Sequence, residues 1–179
     1  MKISTRTIVT VGMFTAVISV LSILNIPMPS GVPVTLQTFA IALGGYVLGA
    51  KRGAAAALVY LLVGAIGVPV FAGMTGGLSC LFGYTGGFLW GFIFFALLCG
   101  IGIQCHAVWL RVALGLAGLA VCHILGSLQF ALVTGSSITE AFLLASAPYI
   151  LKDILSVVGA YVVALPVRHA LSGLRMSFC

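Results

Sequence analysis

The ten charged residues of this chain are confined almost entirely to the joints between long apolar runs. From residue 53 to residue 110 there is not one charged side chain. Two acids and eight basic residues in 179 cannot cover a water-facing domain, in which about a quarter of the residues are charged. The chain therefore has to fold in lipid, where roughly 20 apolar residues make one crossing. About six crossings with short joints fit into its length.

The runs are 8–26, 36–50, 53–68, 88–103, 112–133 and 141–167. The expected fold is an all-α integral membrane protein with six transmembrane helices, formed by one substrate-binding domain over residues 1–179. The first run follows Lys2 and Arg6, as in a signal peptide, but it is longer than an h-region and Asn25-Ile26-Pro27 is a poor cleavage site. It is read as a retained helix. Pro27, Pro29, Gly31 and Pro33 break the chain before the second run, which Lys51-Arg52 is expected to stop. In the last run, Pro148 predicts a short piece over 141–147 and then a helix that starts at the proline.

Seven of the eight Lys and Arg residues fall on one side of such a bundle: Lys2, Arg6, Lys51, Arg52, Arg111, Arg168 and Arg175. The opposite joints (25–35, 69–87 and 134–140) carry none. The positive-inside rule then places both termini in the cytoplasm of a multi-pass protein of the cell membrane. A soluble protein of net charge +6 would suggest nucleic acid. Here topology accounts for the charge, and the expected surroundings are the lipid bilayer. The long joint 69–87 between helices 3 and 4 has six glycines and no charge. Such a segment is expected to pack back over the outer side of the bundle.

Lys152 is the basic residue that topology leaves over. It and Asp153 are the only lysine and aspartate inside any apolar run. Ionisable residues at membrane depth are costly and mark ligand or ion pathways. They are taken as a small-molecule site, in which lysine suits a carboxylate and aspartate suits N–H donors. Adjacent on a helix, the two point about 100° apart and are not expected to form one tight local pair. Tyr149 shares their stretch, and Ser156 lies within reach of either. From the glycine-rich joint, Gly73 and Gly86 are candidates for close backbone approach, and Phe71 and Tyr84 for aromatic walls. Thr35 and Gln37 lie at the outer end of the second helix. His123 and Gln129 stand on different faces of the fifth, each more often a packed residue than a contact; Gln129 joins the candidate site. Gly12 and Ala16 form a small-residue surface on helix one. No H-E-x-x-H, G-x-S-x-G, Walker pattern or C-x-x-C pair occurs, and Cys122-His123 and Cys105-His106 lie too far apart to form one cluster. Neither catalysis nor a metal or cofactor is expected.

Several segments together resemble the BioY family, the biotin-specific S components of energy-coupling factor (ECF) vitamin transporters. They are Pro33-Val34-Thr35-Leu36-Gln37-Thr38-Phe39, the stretch 48–54, Gly67-Val68-Pro69-Val70-Phe71-Ala72-Gly73, the stretches 83–88, 126–129 and 132–135, and Pro148 to Asp153. The resemblance implies biotin capture from the outer side. It implies a transmembrane T component, docking on the Gly12-Ala16 face, and cytoplasmic ATPase subunits, although some relatives are proposed to work alone. It gives Asp153 the ureido N–H groups. The family pattern places a lysine three residues after this aspartate; here that position is Ser156 and the lysine precedes it. The alternatives are an S component for lipoate, thiamine or riboflavin, or a structural or channel-like membrane protein with no captured ligand.

Overall fold

Backbone N–H and C=O groups in lipid must be satisfied within the segment, so apolar runs of this kind become helices. The computed structural model describes residues 4–28 and 31–173. Lys2, Pro29, Arg175 and Cys179 lie outside the described residues. Within them the chain is mostly helical: α1 (Thr5–Ile23), α2 (Gln37–Leu48), α3 (Ala50–Ala65), α4 (Leu78–Phe82), α5 (Gly86–Gly102), α6 (Val108–Thr134), α7 (Ile138–Ala145) and α8 (Ala147–Gly173). Strands β1 (Asn25–Ile26) and β2 (Val34–Thr35) pair antiparallel, with Asn25 opposite Thr35. Three helices are long and apolar enough to cross a membrane: α1, α6 and α8 over Ala147–Leu171.

Several boundaries differ from the sequence expectation. α2 does not end at Lys51-Arg52. It ends at Gly49, whose φ of +80° is a conformation that favours glycine. Both basic residues lie in the first turn of α3, where the helix dipole disfavours them. The polar break before α6 is shorter than expected, because Arg111 is inside the helix. Its Nε reaches back to the Cys105 carbonyl at 2.8 Å. In the last run, the short piece starts at Ile138 and is opened by a Ser137–Glu140 capping box. α8 then begins one residue before Pro148 and continues through Pro166 past Val167.

The helices pack through small residues rather than large ones. A Cβ on Gly45 would lie 2.5 Å from the Ala96 carbonyl oxygen, and one on Gly53 would lie 2.7 Å from the Gly45 Cα. α5 and α6 meet where Gly91 faces Cys122 and where Gly118 and Gly126 take the rings of Phe95 and Phe88. Gly118, Cys122 and Gly126, four residues apart, form a stripe of small residues on α6. Meanwhile large apolar side chains face outward. Leu132 is 76% exposed, and Leu151 and Trp109 are each 72% exposed. An exposed apolar surface of this kind is suited to lipid.

The basic residues gather at one end. Arg168, far along α8, donates to the Tyr46 and Val47 carbonyls, both at 3.0 Å. Arg111 reaches the Tyr161 hydroxyl at 3.4 Å. Gly100 of α5 is pressed against Ala50 at the start of α3, beside Lys51 and Arg52. α1 runs alongside α3 in the same direction, with Thr15 bonded to the Ala56 carbonyl, so Arg6 belongs to this end. The strand pair, α4 and α7 lie at the other.

The glycine-rich joint does fold back over the bundle. Phe71 is 2% exposed and stands edge-on to Tyr60 with centroids 5.3 Å apart. The Gly77 N–H donates to the Gly64 carbonyl at 2.7 Å. α4 is fastened from across the bundle: the Gln129 amide donates to the Leu81 and Gly83 carbonyls at 2.9 and 2.7 Å.

Candidate functional site

The end of the bundle away from the arginines holds a cavity of about 470 Å3. That size is in the range of small-molecule sites. α2, α5, α6 and α8 form its walls. The strand pair and the segment from Phe71 to Thr85 cover it.

Its chemistry converges on Asp153, which is 5% exposed. On one side, His123 Nε2 lies 3.2 Å from the Asp153 Oδ2 atom. On the other, the Lys152 ammonium pairs with Asp153 Oδ1. This overturns the expectation that adjacent positions preclude a tight pair. The 100° offset fixes the two Cα–Cβ directions, but the four-carbon lysine stem is long enough to swing the ammonium back to its neighbour. The same ammonium donates to the Thr35 carbonyl at 2.9 Å. One turn earlier, the Tyr149 hydroxyl donates to the Val32 carbonyl. α8 thus holds both the carboxylate and the covering segment 32–35.

Gln37 and Thr38 line the cavity from the first turn of α2, and Thr38 adjoins the Asp153 carboxylate. The Gln37 amide donates to the Tyr60 hydroxyl at 2.6 Å, which donates in turn to the Val70 carbonyl at 3.3 Å. This chain of bonds sets the position of Phe71. The Thr35 hydroxyl accepts from the Gln37 backbone N–H at 3.3 Å. Phe71 and Tyr84 both line the cavity, with Phe88, Leu89 and Phe92 on the α5 wall. Tyr84 packs edge-on to Phe130 at 6.1 Å.

Asp153, Lys152, Tyr149, Thr35, Gln37, Phe71 and Tyr84 are therefore brought to one cavity. Ser156, Gly73, Gly86 and Gln129 do not line it. The Ser156 hydroxyl donates to the Lys152 carbonyl of its own helix at 2.9 Å. Gly86 serves close packing, pressed against Leu81 and Gln129, and Gly73 faces Asn25. Gln129 is occupied with α4. Glu140 is spent on its capping box and does not approach Asp153. Gly12 and Ala16 stay exposed on α1, with nothing within 4 Å of a Cβ placed on Gly12.

A sequence model of the BioY family matches residues 1–173. The chain belongs to the BioY family. Among its BioY relatives are the biotin transporter BioY of Thermotoga maritima and that of Rhizobium etli. The first is 37% identical over 91% of this chain and 96% of the relative; the second is 36% identical over 88% and 90%. The probable biotin transporter BioY of Pyrococcus horikoshii is 35% identical over 86% and 91%. The fold is shared with the S-component for biotin from an ECF-type ABC transporter. There the TM-score is 0.84, covering 94% of this chain and 95% of the other at 22% identity. The BioY chain is an integral membrane protein.

Two residues of the cavity wall carried a weak signal in the sequence. His123 is the one histidine deep inside an apolar run, but six positions from Gln129 it looked like ordinary packing. What distinguishes it is a partner thirty residues away. Thr38 follows Gln37 in the family-like stretch, and only the first turn of α2 shows that both side chains face the cavity.

Proposed function

We propose that this chain captures biotin at the outer face of the cell membrane and delivers it to the cytoplasm, as the S component of an ECF-type transporter. The observation that carries this is the partly covered, largely apolar cavity with Asp153 buried in its wall, in a family whose curated relatives are named biotin transporters. In this reading Asp153 accepts ureido N–H groups. The aromatic side chains Phe71, Tyr84 and Phe88 wall the fused rings. Lys152 keeps one further N–H to offer the valerate carboxylate.

The whole chain acts as one substrate-binding unit of six crossings, α1, α2, α3, α5, α6 and α8, with α4 and α7 lying at the outer face. Both termini are cytoplasmic, on the side of Arg6, Lys51, Arg52, Arg111 and Arg168. The exposed Gly12-Ala16 surface of α1 admits close approach of a T component helix, and ATPase subunits drive the cycle. Transport, not catalysis, is the activity.

Equilibrium binding of biotin to the purified protein, against lipoate, thiamine and riboflavin, tests this. Saturable one-to-one binding of biotin alone is expected. Preference for another vitamin, or no saturable binding at all, would sink the reading.

A further inference from the structure

The two oxygens of the Asp153 carboxylate are held from different sides, and the holders are not alike. Lys152 sits on the same helix at the end of a flexible four-carbon stem, and its ammonium is shared with the Thr35 carbonyl. His123 reaches across from α6, with Nε2 3.2 Å from Oδ2, and is only 6% exposed. We infer that His123 is a positioning residue: it fixes the buried Asp153 carboxylate in the orientation that receives the captured molecule, and acts through that carboxylate rather than by its own contact. The inference deepens the biotin reading and rests on it.

The bond does not depend on the charge of the ring. A carboxylate accepts and does not donate, so the ring nitrogen facing it carries the hydrogen in a neutral or a cationic imidazole alike. What makes His123 a fixed reference is its seat. Its ring stands edge-on to Phe88, with centroids 5.8 Å apart at 89°. Its carbonyl accepts from the Ser146 hydroxyl at 3.5 Å. That hydroxyl lies 2.7 Å from the Ser127 hydroxyl, one turn further along α6, and both serines are buried. Ser146 is the joint between α7 and α8. This line of contacts therefore sets α6 against the start of α8, two turns before Asp153. The Thr38 hydroxyl adjoins the same carboxylate from α2. An aspartate side chain free to turn has to be ordered each time a molecule is captured, and that ordering lowers affinity. A carboxylate locked by its neighbours before capture avoids the loss.

The test is a double-mutant cycle, read by titration calorimetry of biotin on the purified full-length protein. It uses His123→Leu, His123→Gln and Asp153→Ala, and each His123 change combined with Asp153→Ala. His123→Leu should weaken biotin about three- to tenfold, the effect of ordering one side chain on capture. In the Asp153→Ala background the same change should alter the affinity by no more than about twofold, since no carboxylate is left to position. His123→Gln, whose amide nitrogen takes the place of Nε2, should recover most of the loss. An equal loss in both backgrounds would show that His123 acts by packing or by its own contact, and would overturn the inference while biotin capture stands. So would a folded His123→Leu protein that binds like the parent, or a His123→Gln protein no better than His123→Leu. If the unmodified protein binds no biotin, the proposed function falls and this inference with it. A measurement that needs no variant to fold is 15N spectroscopy of the imidazole in the ligand-free protein. Nε2 should carry a hydrogen that exchanges slowly, and a bare Nε2 would overturn the contact.

Discussion

Replacing Asp153 by asparagine should weaken biotin binding roughly 10- to 150-fold in a protein that still folds. The two side chains have the same shape, so packing in α8 is kept. The electrostatics is not. Asparagine offers one carbonyl oxygen and one amide donor where two acceptor oxygens stood, and both neighbours, His123 Nε2 and the Lys152 ammonium, are donors themselves. Whichever way the amide turns, one donor faces another. At a residue 5% exposed, water does not repair the mismatch. A bond from the ligand to an ionised group contributes about 1.5–3 kcal/mol, whereas the mismatch inside the protein is present with and without ligand and falls on stability. At 1.4 kcal/mol per factor of ten, the dissociation constant should rise roughly 10- to 150-fold. Titration calorimetry on the variant in detergent or nanodiscs measures it, with size-exclusion profile and thermal unfolding as controls for folding. A folded Asp153→Asn protein that binds biotin within threefold of the parent refutes the assignment of the carboxylate to the ligand.

Lys152→Met separates two roles of the ammonium. If Lys152 holds the valerate group, the parent prefers biotin to its methyl ester by about tenfold and the variant loses that preference; equal weakening of acid and ester would limit the lysine to Asp153 and Thr35. Gln129→Ala removes two hydrogen bonds to α4, about 2 kcal/mol of local stability, so amide exchange over 78–83 should quicken roughly 30-fold, and unchanged exchange would show that α4 is held by something else. The Glu140 carboxyl is held below its usual range by hydrogen bonds from the Ser137 backbone and side chain. Its folded value is therefore depressed, so its support of the α7 start is complete above the ordinary carboxylate range and is lost as pH falls through the folded value. Exchange in the first turn of α7 should rise over that acid interval in the parent and show no such step in Glu140→Gln.

Much of this architecture was legible because lipid leaves few options. Apolar runs with no charge must become helices, and the basic residues report which ends lie together. Arg6, Lys51, Arg52, Arg111 and Arg168 do meet at one end of the bundle. The helix limits were less legible. A charge pair looks like a stop, yet the chain turns at Gly49, one residue earlier than Ala50, because a positive φ ends α2 and Lys51-Arg52 can ride in the next helix. Asp153 was visible as an anomaly of composition. His123 was not, since its significance is a 3.2 Å approach between α6 and α8 that no local pattern encodes. Glycines misled in the other direction. Gly73 and Gly86 suggested room for a ligand, but Gly86 makes room for the protein's own backbone and for Gln129.

The brevity of α2 has a consequence of its own. Its 12 residues make a rod of about 18 Å, against a hydrocarbon thickness of about 30 Å. A lipid-facing helix so short would thin the bilayer around it, but α2 is walled in by its neighbours and no lipid has to adjust. At its start Gln37 and Thr38 line the cavity, beneath the covering segment 31–35. Helix length here acts as a ruler for cargo. One extra turn at the start of α2, about 5.4 Å, would displace the residues that line and cover the cavity, so insertions and deletions at residues 35–38 are a direct route to a chain of this shape that holds smaller or larger molecules.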